Sequence, residues 1–145
     1  MMIISYPEPH FRTKNENGNE IIFDPLRKKW IVLTPEEWVR QNFLQYLLQV
    51  KNYPASLIAI EKEIKLGDLK KRFDILVYNN NHQPWMMIEC KGSTRKLDEK
   101  VLEQVLLYNI SVPVVYIIIT NGNLTFGWQR QADGLIALTE IPSKI

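Results

Sequence analysis

Asp74, Glu89 and Lys91 are the residues of this chain whose types and spacing suit a single chemistry. Residues two apart on a strand share a face, so Glu89 and Lys91 of "WMMIECKG" point to one side and Ile88 and Cys90 to the other. The preceding apolar run, "RFDILVY", carries one acid, Asp74. If "NNNHQ" closes a hairpin between the two runs, paired residue numbers sum to about 163, which sets Asp74 opposite or nearly opposite Glu89. Two carboxylates facing each other across strands repel. A raised pKa on one acid, a nearby protein cation or a bound metal would relieve that conflict. Lys91 offers one positive charge against two negative ones, and a divalent cation would complete the balance; two carboxylates plus waters suit Mg²⁺. The competing reading is a solvated strand edge or a structural ion pair. What favours a site is the whole constellation, set on two adjacent strands with apolar flanks.

Several elements must hold these residues in place. "TPEEWVRQNFLQYLLQV" is the clearest helix: Thr34 suits the cap, Pro35 the first turn, and Glu37 lies where a capping box needs an acid. Trp38, Phe43, Tyr46, Leu47 and Val50 then recur at helical spacing. Leu57–Ile64 alternates as a strand, followed by a basic turn, "KLGDLKKR", and strands over Phe73–Tyr78 and Trp85–Lys91. Leu97–Ile110 reads as a second helix, "VPVVYIIIT" as a strand covered on both faces, and "LTFGWQR" and "LIALTEI" as closing strands. Glu20–Leu33 suggests an added hairpin, and residues 1–19 read as irregular. The expected fold is α/β, a mixed sheet flanked by helices.

Bulk properties set the frame. A chain of 145 residues is expected to form one domain with a single core. Its 18 basic and 16 acidic side chains leave a net charge of +2, so DNA contact would rest on local patches rather than on global charge. The longest apolar run, Val112 to Ile119, is too short to span a bilayer, the N-terminus does not read as a signal peptide, and one cysteine cannot form an internal disulfide. A cytoplasmic protein with no membrane association is expected.

"RFDILVY…WMMIECKG" resembles the PD-(D/E)XK nuclease superfamily, whose core is an Asp, a turn and then Glu-x-Lys on a hairpin. With "LTPEEWVRQNFLQYLL" before it and "EQVLLYNI" and "YIIITNG" after it, the chain resembles, over roughly residues 20–130, the N-terminal nuclease domain of type I restriction enzyme R subunits. The resemblance implies a restriction-endonuclease-like fold with an αβββαβ core and Mg²⁺-dependent cleavage of DNA, with Mn²⁺ able to substitute. Asp74 and Glu89 would then ligate the metal, joined by the main-chain carbonyl of Cys90, and Lys91 would orient the attacking water or stabilise charge on the scissile phosphate. Glu37 corresponds to a helical acid brought to the metal site, with the capping box as its competing role. Gln104 and Tyr108, four apart on one helical face, correspond to a pair beside the site that touches the lysine region or DNA. Arg72 and Arg95 are further candidates for phosphate contact, as are Lys65, Lys70, Lys71 and Lys96, with solvated loops as the alternative.

The sequence has no G-x-x-x-x-G-K-[ST] phosphate loop, so the resemblance does not extend to an ATP-driven motor, and a stand-alone relative is expected. Separate motor or specificity subunits and a homodimer are the partners implied beside DNA. The rival function is a nuclease-like module that binds nucleic acid or protein without cutting.

Overall fold

The computed structural model describes residues 1–109 and 112–143, without the side chains of Leu66, Leu69 and Tyr108. A small antiparallel sheet comes first: β1 (Thr13–Glu16), β2 (Asn19–Asp24) and β3 (Lys29–Val32). The expectation of an irregular start therefore fails at β1. The turn Asn17–Gly18, with φ of 52° and 81°, is the two-residue type that matches strand twist, and it folds "TKNE" back on "NEII". Met2 is also ordered: it is buried, and its N–H donates to the Thr125 carbonyl at 2.8 Å.

Helix α1 (Pro35–Gln49) starts where expected, with the Thr34 hydroxyl accepting the Glu37 N–H at 3.0 Å. Val39, Phe43, Leu44, Tyr46 and Leu47 form its buried face. Trp38 and Val50, expected on that face, are exposed; Trp38 instead meets Phe11 edge-on, at 5.4 Å between ring centroids.

A six-stranded mixed sheet follows, in the order β4 (Ile58–Leu66), β5 (Leu69–Tyr78), β6 (Pro84–Cys90), β7 (Tyr116–Thr120), β8 (Thr125–Gln131), β9 (Gly134–Ala137). All neighbours are antiparallel except β6 and β7, which run parallel and are joined through α2 (Glu99–Asn109). The order α1–β4–β5–β6–α2–β7 is the αβββαβ core of a restriction-endonuclease-like fold.

Two expected boundaries move. "KLGDLKKR" is mostly strand, because Gly67 at φ 62° lets Gly67 and Asp68 alone make the turn between β4 and β5. Helix α2 starts at Glu99 rather than Leu97, since the Asp98 carboxylate caps it by accepting the Val101 N–H at 2.9 Å. The expected end of that helix at Ile110 lies outside the described residues.

Each face of the large sheet has its own core. One joins Ile75, Val77, Met86, Ile88, Cys90 and Ile118 to Val39, Phe43, Leu44 and Leu47 of α1. The other holds Phe73, Leu76, Met87, Val112, Val114 and Ile117, with Leu106 of α2 against them.

Candidate active site

The register of β5 and β6 is the one the hairpin implies. Ile75 pairs with Ile88 and Leu76 with Met87, which carries Asp74 to the position facing Glu89. Main-chain pairing between the two strands stops there. The Cys90 N–H donates to Asp74 Oδ2 at 2.8 Å, so a carboxylate oxygen takes the place of a ladder carbonyl. Beyond this point β5 stays with β4 while β6 follows β7, and the Lys91 N–H donates to Thr120 O at 2.8 Å. The sheet parts at Asp74, and the gap is where the charged side chains collect.

The pleat also breaks at this position. Ile60 pairs with Ile75 in the core under α1, whereas Ile64 and Phe73, an even number of residues along each strand, pack in the core on the other face. Regular alternation would keep them on one side. Between them lie Asp74 and, opposite it, Glu61, whose φ of 52° is left-handed and costly for a side chain with a Cβ.

Glu89 is half-buried in this gap. Burial, and then the neighbouring charge of Asp74, push its pKa up to about 8; Lys91 and the Asp74 main-chain N–H oppose the rise. The Glu36 pKa is raised too, first by partial burial and then by Asp74, with Arg40 and Lys91 acting against it. Two of three neighbouring carboxylates thus resist ionisation, the mark of negative charge in excess of what local cations neutralise. Oxygen donors in excess of positive charge fit a hard divalent cation, which takes one or two carboxylates and keeps several waters. Among the described residues no three His, Cys, Asp or Glu side chains gather closely enough to hold a metal ion, so protein carboxylates alone do not complete such a site.

Of the two adjacent helical acids, Glu36 is the one whose charge acts on Glu89 and is acted on by Asp74. The Glu37 carboxylate is buried and committed: it accepts from Arg27 Nη2 at 3.0 Å with each oxygen, from Arg40 Nη1 at 3.3 Å and from Gln41 Nε2 at 3.1 Å. Neither of the two roles expected for its carboxylate describes this position. Of the capping box, the half that holds is the Thr34 hydroxyl accepting the Glu37 N–H. Gly92 helps bring Glu36 in. A Cβ there would stand 3.1 Å from Pro35 Cβ, so a larger residue would make the start of α1 give by a few tenths of an ångström, and glycine lets the strand end run this close without that shift.

Other expected residues are placed less centrally. The Cys90 thiol is fully buried, and burial drives its pKa up, so only its main-chain carbonyl remains a candidate ligand. Arg72 is exposed on β5, 3.6 Å from Glu61, and Arg95 is exposed in the loop after Gly92. Gln104 is exposed on α2, and no hydrogen bond among the described residues joins it to Asp74, Glu89 or Lys91. The Tyr108 side chain lies outside the described residues. Lys71, grouped by sequence with the basic turn, is buried, and burial lowers its pKa.

The residues that spacing did not single out are Glu36, Arg40, Glu61 and Arg27. Glu36 sits next to Glu37, and the helix period alone does not decide which of two adjacent acids faces the sheet. Arg40, one turn further on, has the i+4 spacing to Glu36 that would have marked it. The left-handed backbone of Glu61 has no signature in its residue type.

Residues 35–142 match the family model for the type I restriction enzyme R protein N terminus. No curated protein matches the chain. No described helix is long and apolar enough to cross a membrane.

Proposed function

The chain belongs to the type I restriction enzyme R protein N-terminal family, and from that premise we propose that it is a Mg²⁺-dependent deoxyribonuclease of the PD-(D/E)XK kind. Membership supports a nuclease-like role on DNA. The finer reading is carried by the placement of Asp74 across from a half-buried Glu89 where β5 and β6 part, with Lys91 two residues on.

Asp74, Glu89 and the Cys90 carbonyl would hold the cation, with Glu36 within electrostatic reach. When bound, a divalent cation supplies positive charge to the scissile phosphate and acidifies a water. Asp74 contributes a carboxylate with one oxygen fixed by the Cys90 N–H, so it is oriented before any ligand arrives. Lys91 donates to the attacking water or to a phosphate oxygen, where negative charge grows as the water oxygen bonds to phosphorus. The bond to the leaving ester oxygen breaks on the opposite side, and that oxygen takes up a proton. Arg72 and Arg95, exposed cations on β5 and in the loop after Gly92, would meet flanking phosphates.

The test is hydrolysis of plasmid and linear duplex DNA with and without Mg²⁺. Asp74→Ala and Lys91→Ala are expected to abolish cleavage while retaining the fold; unchanged cleavage in both overturns the mechanism. A non-cleaving module that binds nucleic acid or protein draws on the sparse ligand set, with no three side chains converging among the described residues. That reading predicts no Mg²⁺ or Mn²⁺ binding by calorimetry near neutral pH. Assembly with motor or specificity subunits, and pairing of two copies to cut both strands, follow from the family reading and are part of this proposal.

A further inference from the structure

Asp74 offers one oxygen more freely than the other. Its Oδ2 accepts the Cys90 N–H, which leaves Oδ1 the freer, and that atom already faces a cation: Arg40 Nη2 lies 3.5 Å away. The same nitrogen lies 3.4 Å from Glu36 Oε1. The other end of the guanidinium is anchored in the opposite direction. Arg40 Nη1 meets Glu37 Oε1 and Glu61 Oε1, each at 3.3 Å. Glu37 is itself fixed by Arg27 and Gln41, and Glu61 meets Arg27 and Arg72 as well. Arg40 is only 4% exposed, so this arrangement is built into the helix–sheet contact rather than sampled at the surface.

The distances matter. A well-made charged N–H···O bond is about 2.7–2.9 Å long. Arg40 Nη2 shares itself between two carboxylates at longer range than that, and the anchors on Nη1 hold it back. A divalent cation taking Asp74 Oδ1 would need the space and charge complement that Nη2 now supplies. We propose that Arg40 is an internal counter-ion that competes with a divalent cation for Asp74 and Glu36, and that Glu61, held in left-handed backbone opposite Asp74, keeps Arg40 displaceable by pulling its guanidinium away. The inference rests on the cation-binding reading of the site. Its consequence is that Asp74 and Glu36 are partly compensated before loading, while Glu89 is not. Cation entry also frees the Nη2 donors beside the place where the phosphate arrives.

The two residues therefore act on cation affinity with opposite signs. Arg40→Gln removes the competitor and should bind Mn²⁺ about five- to tenfold more tightly, the size of a charged hydrogen bond lost to the competing partner. Glu37 keeps Arg27 and Gln41 in this variant, so the buried acid stays paired. Glu61→Gly removes the anchor and relieves the positive φ at once, so the fold should hold; Arg40 then settles on Asp74, and Mn²⁺ binding should weaken by several-fold.

Calorimetric titration of Mn²⁺ into each 145-residue protein, without DNA and at neutral pH, reads both changes, with circular dichroism confirming the fold. Equal or weaker binding by Arg40→Gln, or equal or tighter binding by Glu61→Gly, overturns the proposal. If Arg40→Gln does not fold, Glu61→Gly decides alone. Absence of Mn²⁺ binding by the unmodified protein overturns the cation reading together with this inference, whereas binding that neither substitution alters overturns this inference only.

Discussion

Replacing Glu89 by Gln keeps the shape of the side chain and removes the charge that the gap resists. With a pKa raised from 4.5 to about 8 in the folded protein, Glu89 binds a proton more tightly folded than unfolded. Between those values the unfolded chain has released its proton and the folded chain has not, so stability falls as pH rises through that window and levels off above about pH 8. Each tenfold change in proton affinity is worth about 1.4 kcal/mol, which gives about 4–5 kcal/mol of destabilisation at pH 9 if the surroundings stay rigid. Relaxation of the surroundings and entry of water reduce this, and about 2–3 kcal/mol is the expected size. Glu89→Gln should therefore match the unmodified protein near pH 4 and exceed its stability at pH 8–9, with a melting temperature higher by about 5–10 °C for a chain of this size. Mg²⁺ should stabilise the unmodified protein at pH 8 and not the variant. Urea or thermal unfolding at pH 4, 6, 8 and 9, with and without Mg²⁺, checks this. A variant less stable than its parent at pH 8, or a difference independent of pH, refutes the argument that an under-compensated carboxylate sits in the gap.

Two further outcomes probe the frame around the site. Arg27 Nε lies 2.6 Å from Asp24 and its Nη2 3.0 Å from Glu37, both acids being buried, so Arg27→Ala leaves Asp24 without its cation and Glu37 with Arg40 and Gln41 alone, and should cost about 3 kcal/mol in urea unfolding. Gly92→Ala sets a methyl 3.1 Å from Pro35 Cβ, and the start of α1 must yield. That substitution should cost about 1 kcal/mol in stability and lower DNA cleavage much more than Ala at exposed Ser93, measured side by side.

The sequence carried the site best where its local periods were strongest. Alternation in "RFDILVY" and "WMMIECKG", joined by a short polar turn, was enough to set Asp74 across from Glu89, because a one-residue slip would have turned Ile75, Val77, Met86 and Ile88 away from the core. The helix cap at Thr34 was equally plain. What the sequence did not reveal depends on side chains meeting across elements. The resemblance offers Glu37 as a site acid and the local sequence offers it as a capping-box acid, with nothing along the chain to choose between them; Arg27, from the turn after β2, claims its carboxylate only once the small sheet packs on α1. The small sheet's first strand was missed because "TKNE" is polar on both faces, and its pairing is specified by the Asn17–Gly18 turn rather than by burial. The pleat break at Glu61 and Asp74 overrides alternation altogether. It is what turns Asp74 out of the core and into the gap.

The central claim is that Asp74 and Glu89 share a divalent cation beside Lys91. A crystal structure of the protein soaked in Mn²⁺ tests it most directly, through the anomalous signal of the metal. The account predicts one peak bridging the two carboxylates, within about 2.3 Å of an oxygen of each, with the Arg40 guanidinium drawn off Asp74. A well-ordered site with both carboxylates in place and no peak between them, from crystals of a preparation that still cleaves DNA in Mn²⁺, would contradict it.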